Sequence, residues 1–146
     1  MRSYDDYKKN LKVLFVKTDS YSRKISLKAL ERNFENITVA HNGLDGLMKF
    51  MESRKDEDTK FDLIISDINL EKLNGIEMLE KIRGVDDTPF IFLTINNNYK
   101  IVLKAVRLHI LSYIVKPLDL NLYETINNSC KKLYKEYLSK EKIELV

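Results

Sequence analysis

Short apolar runs alternate with amphipathic stretches of helical length along the whole chain. The runs are strand-like in length and rich in Val, Ile and Phe; they are Leu11–Val16, Asn36–Ala40, Phe61–Asp67, Phe90–Leu93 and Tyr113–Val115. Strands that alternate with helices are typical of a parallel sheet, and right-handed crossovers leave few arrangements for such a sheet. The sequence therefore predicts an α/β fold, a five-stranded parallel sheet with helices on both faces.

Spacing and capping residues support the helical segments. Leu44, Leu47, Met48 and Met51 follow an i, i+3, i+4, i+7 pattern, which predicts an amphipathic helix. Polar residues of the type that begins helices precede two further helical segments; they are Asp19-Ser20 and Asn96-Asn97-Asn98. The last segment carries Leu122, Ile126, Leu133 and Tyr137 and predicts a fifth helix.

The length of 146 residues corresponds to one domain. We expect residues 1–10 to be an N-terminal extension, residues 11–130 to form the domain, and residues 131–146 to extend the last helix. The final segment is increasingly charged but still favours helix. Three interpretations stay open for it: a linker to a further domain, a partner-binding tail or a frayed terminus.

Composition excludes several classes of protein. The formal net charge is only +3 and is spread along the chain, so it favours solubility over direct nucleic-acid binding. Cys130 is the only cysteine, so an internal disulfide cannot form. The N-terminus does not resemble a signal peptide, and no apolar run approaches the roughly 20 residues of a membrane span. We therefore expect a cytoplasmic protein with no membrane association.

Polar side chains follow three successive strand-like runs. They are Asp67, Thr94 and Lys116. An acid such as Asp67 is more often a turn or helix-capping residue when it stands alone. Because the carboxyl ends of parallel strands meet at one edge of the sheet, the three together predict a site that handles an anion.

The chain resembles the receiver domains of response regulators from about Leu11 to Ser139. The motifs that carry the resemblance are Asp67-Ile68-Asn69-Leu70 with Asn74-Gly75, Phe92-Leu93-Thr94, and Tyr113-Ile114-Val115-Lys116-Pro117. The resemblance implies a flavodoxin-like (βα)5 fold with strand order 2-1-3-4-5. It also implies that a sensor histidine kinase, or a phosphotransfer protein, passes a phosphoryl group to Asp67.

The resemblance assigns a role to each site residue. Asp67 would be the nucleophile and, with the backbone carbonyl of Asn69, a ligand of Mg²⁺. Lys116 would pair with the phosphate oxygens, and Thr94 would donate a hydrogen bond to them. Tyr113 would be the aromatic switch, its ring moving inward when Thr94 is drawn toward the phosphate.

The same resemblance predicts a signalling role without enzymatic turnover, beyond self-catalysed phosphoryl transfer to Asp67. The domain would switch an output domain or an effector. A homodimer through the fourth predicted helix, the fifth strand and the fifth predicted helix is also implied. A flavin or nucleotide enzyme is disfavoured, because the chain has only four glycines and lacks both a Gly-x-Gly-x-x-Gly motif and a P-loop.

The sequence departs from the family where two adjacent acids usually follow the first strand. Lys17 and Thr18 occupy those positions, and Asp19 falls one residue later. Mg²⁺ requires oxygen ligands in near-octahedral geometry, and a lysine supplies none. Three outcomes are open: Lys17 pairs with Asp67, Asp19 turns in to bind metal through water, or Lys17 itself neutralises the phosphoryl group.

From this departure we predict low Mg²⁺ affinity and weak or absent phosphorylation. The alternative function is a pseudo-receiver, a protein-interaction module that works without phosphorylation. Two further departures are Glu71, where the family commonly has proline, and His109, where it commonly has a glycine in a left-handed helix cap. Histidine tolerates that backbone conformation better than most residues.

Overall fold

The computed structural model describes residues 2–115 and 122–145. Within these ranges, five strands alternate with six α-helices and one short 3₁₀ helix. The strands are β1 (Lys12–Val16), β2 (Asn36–Ala40), β3 (Leu63–Ser66), β4 (Phe90–Thr94) and β5 (Ser112–Val115). The helices are α1 (Tyr4–Lys9), α2 (Ser20–Leu30), α3 (Gly43–Ser53), α4 (Gly75–Arg83), α5 (Tyr99–Arg107) and α6 (Leu122–Leu145).

All strand pairs in the sheet are parallel, in the order β2-β1-β3-β4-β5. The predicted fold class and strand order are therefore confirmed. The central strands β3 and β4 are completely buried, whereas the edge strands β2 and β5 are mostly half-buried. Because the central strands are buried on both faces, their sequences are mostly apolar and do not alternate with polar residues.

The core is divided into two layers by the sheet, because successive strand residues point to opposite faces. Phe15, Ile65 and Leu93 belong to the layer that contains apolar side chains of α2 and α6. Leu14 and Phe92 belong to the opposite layer, with apolar side chains of α3, α4 and α5. Helices therefore cover both faces, as the alternating pattern predicts.

The helix α1 lies within residues 1–10, which the sequence predicted only as an N-terminal extension, with no helix assigned to it. Ser3 caps it, its side chain accepting a hydrogen bond from the Asp6 N–H. The five predicted helices are consequently α2 to α6. Two predicted caps are confirmed: Asp19 caps α2 and Asn98 caps α5.

Two non-glycine residues among those described have a left-handed backbone. His109 follows α5 with φ 57°, which confirms the conformation expected of the family's glycine position. Lys72, in the loop after β3, has φ 67° and was not anticipated. None of the helices within residues 2–115 and 122–145 is both long and apolar enough to cross a lipid bilayer.

Candidate functional site

The carboxyl edge of the sheet brings Lys17 and Asp67 side by side. β1 and β3 are paired in register, with Val16 opposite Ser66, and each of the two charged residues follows directly. The Asp67 N–H donates to the Val16 carbonyl at 3.1 Å, which continues the ladder to the site. Neighbouring parallel strands thus deliver the two side chains to the same position.

The Lys17 ammonium forms a buried ion pair with the Asp67 carboxylate through Oδ2. The side chains are only 10% and 3% exposed. The other oxygen, Oδ1, accepts hydrogen bonds from the backbone N–H groups of Ile68 at 2.7 Å and Asn69 at 3.3 Å. Both carboxylate oxygens therefore already have donors, as a buried charge requires.

The loop after β1 is held by a residue whose role the sequence did not reveal. The Arg23 guanidinium, on α2, donates from Nη1 to the carbonyls of Lys17 at 3.0 Å and Thr18 at 2.9 Å. The Thr18 hydroxyl oxygen in turn accepts the Glu71 N–H at 3.1 Å, which joins this loop to the loop after β3. These bonds fix the backbone on both sides of the ion pair.

Asp19 does not face this ion pair. Its carboxylate caps α2 by accepting the Ser22 N–H at 2.8 Å, and the residue is exposed. The hydrogen bonds from Ser22 lower the pKa of the Asp19 carboxyl, and the positive charges of Lys17 and Arg23 add to the effect. In this arrangement Asp19 is a helix cap, and the first of the three open outcomes for Lys17 is the one observed.

Thr94 and Tyr113 are joined through the loop that follows β4. The buried Thr94 hydroxyl accepts the Asn96 N–H at 3.1 Å. The Tyr113 hydroxyl donates to the Asn96 carbonyl, and its ring packs on Phe92 with the centroids 5.8 Å apart. Burial raises the pKa of the Tyr113 phenol, and the nearby Asp67 charge raises it further.

Two asparagine side chains connect these halves of the site. The Asn96 amide donates to the Asn69 side-chain oxygen at 3.4 Å, while the Asn69 N–H points to Asp67. Hydrogen bonds therefore run from Lys17 through Asp67, Asn69 and Asn96 to Tyr113. Asn96 was predicted only as part of a helix-capping segment. The remaining predicted site residue, Lys116, lies outside the described residues.

The donor set does not fit Mg²⁺. The Lys17 ammonium already pairs with Oδ2 of Asp67, and the Asp19 carboxylate caps α2. No cluster of three or more acidic, histidine or cysteine side chains suited to a metal is found within residues 2–115 and 122–145. A divalent cation would have to displace a buried ammonium and find further oxygen ligands.

Residues 13–127 match the family model of the response regulator receiver domain. This chain belongs to that family. A receiver domain protein (CheY-like) from Methanospirillum hungatei JF-1 has a similar structure, with 26% identity and a TM-score of 0.70. The similarity covers 86% of this chain and 98% of that one. The predicted family is therefore confirmed by sequence and by fold.

Two curated relatives are much longer than the region that matches this chain. A two-component response regulator (ORR22) of Oryza sativa subsp. indica is 28% identical over 80% of this chain. A protein-glutamate methylesterase/protein-glutamine glutaminase of Desulfotalea psychrophila is 32% identical over 88% of this chain. The matched regions make up only 16% and 36% of those two proteins.

Proposed function

We propose that this receiver domain acts as a phosphorylation-independent interaction module of two-component signalling. The observation that carries the proposal is the buried ion pair between Lys17 and Asp67. The ammonium neutralises the carboxylate that would otherwise accept the phosphoryl group and help to bind Mg²⁺. In this proposal the domain catalyses no reaction of its own.

Phosphoryl transfer to Asp67 has two requirements, and the ion pair works against each of them. A nucleophilic carboxylate needs a free oxygen that can approach phosphorus, and both oxygens of Asp67 are engaged. The transfer also depends on positive charge placed against the phosphoryl oxygens, a role that metal ions commonly fill. With Lys17 and Thr18 in place of the two acids, those two positions supply no carboxylate for a metal next to Asp67.

A second candidate function is a phosphoacceptor receiver, supplied by a sensor histidine kinase or a phosphotransfer protein. It is favoured by the arrangement of Thr94 and Tyr113, which are linked through Asn96 in the loop after β4. In that case Lys17 would have to leave Asp67 before the transfer. The two functions therefore differ in whether the ion pair between Lys17 and Asp67 persists or opens.

An amide-resolved NMR titration separates the two functions. Mg²⁺ is added first and beryllofluoride, a phosphoryl mimic, second. We expect the signals of Asp67, Thr94 and Tyr113 to stay unchanged in the natural protein. The matched control is the double variant Lys17→Asp/Thr18→Asp, in which the two acids are restored and the same signals should shift. Shifts in the natural protein itself would instead support the phosphoacceptor function.

The proposed interaction face lies on α5 and β5, and we propose a second copy of the chain as its occupant. Tyr99 and Val106 are seven residues apart on α5 and are 74% and 57% exposed, and Val115 of β5 is 42% exposed. A contiguous exposed apolar patch is typical of an interaction site, and the proposed dimer would cover these three side chains. Family resemblance supports a homodimer there, formed with α6.

The dimer is tested by analytical ultracentrifugation of Val106→Asp. The control is Met48→Asp, because Met48 is similarly exposed, at 62%, but lies on α3. We expect only the Val106 variant to shift the protein toward monomer. An equal shift in both variants, or a natural protein that is monomeric at high concentration, would contradict the proposed face.

A further inference from the structure

The short helix α1 packs its aromatic side chains against the second half of α6. The Tyr7 ring lies 5.3 Å from the ring of Tyr134 and 5.0 Å from that of Tyr137, between centroids. The Tyr4 ring lies 5.5 Å from Tyr134. The Tyr134 hydroxyl also donates to the Arg2 carbonyl at 2.6 Å, so the contact continues beyond the start of α1.

Hydrogen bonds from Lys8 connect α1 to α6 and to the turn after α2. The Lys8 ammonium donates to Asn127 Oδ1 on α6 at 3.0 Å and to Asn33 Oδ1, just after α2, at 3.2 Å. It lies 5.0 Å from the ring centroid of Tyr123 and 5.5 Å from that of Tyr4. The residue is only 7% exposed. A buried ammonium needs such hydrogen bonds and aromatic faces, so leaving this position would cost all of them at once.

Tyr4 adds a second polar connection at the same place. Its hydroxyl donates to the Asn127 backbone carbonyl at 3.0 Å and also contacts the Asn127 side-chain oxygen. Burial raises the pKa of the Tyr4 phenol, and the charge of Cys130 would raise it further. The phenol therefore stays a hydrogen-bond donor well above neutral pH.

The second half of α6 has little other support. Its 24 residues span about 36 Å, which exceeds the reach of the short strands beneath it. The fully buried apolar side chains on α6 end at Leu133, and none between residues 134 and 142 is fully buried. A charged helical segment without buried side chains frays readily unless another element packs on it.

We propose that α1 is a strap that holds the second half of α6, residues 134–142, against the domain, with Lys8 as its main attachment. The strap fixes the direction in which α6 leaves the sheet. An event that displaces α1 releases that half of the helix while the sheet stays intact. This regulation uses neither Asp67 nor phosphorylation.

Amide hydrogen exchange of Lys8→Met tests the strap, with Lys9→Met as the matched control, because Lys9 is the exposed neighbour on the same helix. We expect exchange across residues 134–142 to accelerate by at least about tenfold in Lys8→Met, since exchange reports local opening. Exchange in β1 and β3 should match the natural protein. The Lys9 variant should leave both regions unchanged.

Two results would overturn the strap. One is unchanged exchange in residues 134–142 of a folded Lys8→Met; the other is acceleration spread evenly over the whole chain. If Lys8→Met does not fold, Tyr4→Phe gives the same test, because it deletes only the hydroxyl that bonds to Asn127. Its matched control is Tyr21→Phe on α2, where the tyrosine is 74% exposed.

Discussion

The Lys17 ammonium lies against the Asp67 carboxylate at the carboxyl edge of the sheet, and both side chains are almost fully buried. The two charges had to be removed from water, and in proteins that cost can exceed the attraction between them. Such a pair contributes little net stability, but each partner depends strongly on the other. The coupling energy between Lys17 and Asp67 is therefore the property of this site to measure.

We expect Lys17→Met to lower the free energy of unfolding by about 3–5 kcal/mol, because it leaves the Asp67 charge buried without its countercharge. The double variant Lys17→Met/Asp67→Leu should lose much less, since neither charge remains. Urea unfolding of the single and double variants measures the coupling between the two residues. If the loss of unfolding free energy in the double variant equals the sum of the losses in the two single variants, Lys17 and Asp67 are not energetically coupled.

Gly75 allows the backbone after Asp67 to approach α4 closely. A Cβ at this position would lie 2.3 Å from the Asp67 carbonyl oxygen and 2.9 Å from the Ile68 Cα. We therefore expect Gly75→Ala to destabilise the protein by about 1–3 kcal/mol and to shift the Asp67 amide signal in NMR spectra.

The control is Gly84→Ala at the other end of α4, where the nearest atom would be 3.3 Å away and φ is −68°. It should be neutral or slightly stabilising, because alanine favours helical backbone. If both substitutions cost the same, the close approach at Gly75 is not the reason.

The left-handed backbone of His109, with φ 57°, lowers the stability of the folded protein. We expect His109→Gly to stabilise the protein by up to about 1 kcal/mol, because the left-handed penalty of about 1–2 kcal/mol exceeds the entropic cost of glycine. Thermal unfolding measures the change. The control Arg107→Gly, within α5, should lose about 1 kcal/mol. A destabilised His109→Gly would mean that the imidazole makes contacts worth more than the strain.

Stability should fall at alkaline pH because of Cys130. Burial raises the pKa of its thiol from 9.0 to about 12, and the same cause raises that of the Tyr7 phenol from 10.0 to about 12. The folded state then holds protons that the unfolded state releases, so the stabilising effect is complete below pH 9 and is lost as the pH rises toward 12. The slope for one group reaches about 1.4 kcal/mol for each pH unit.

The measurement is the free energy of unfolding from pH 8 to 11 for the natural protein and for Cys130→Ala. Between pH 9 and 10 the variant should show a clearly shallower decline, since tyrosines release protons later. Only the slopes are compared, so a constant packing loss in the variant does not matter. Identical slopes would show that the thiol keeps an ordinary pKa in the folded protein.

Much of the fold could be predicted because its signals are local. In β3 (Leu63–Ser66) the first three residues are a continuous apolar run, which is typical of a strand buried on both faces. The amphipathic period of α3 and the Asp19 cap are likewise local patterns. The helix α1 was missed because six residues with only two aromatic side chains, Tyr4 and Tyr7, are too few to show a clear period.

The sequence by itself determined the alternation of strands and helices, the family, and the presence of a lysine where the family carries acids. Only the tertiary structure decided that Lys17 pairs with Asp67, that Arg23 holds the loop carbonyls and that Asn96 connects to Tyr113. It also decided that α1 packs on α6. Periodicity records which face of an element is apolar, but side-chain partners depend on register and on contacts between residues far apart in the chain.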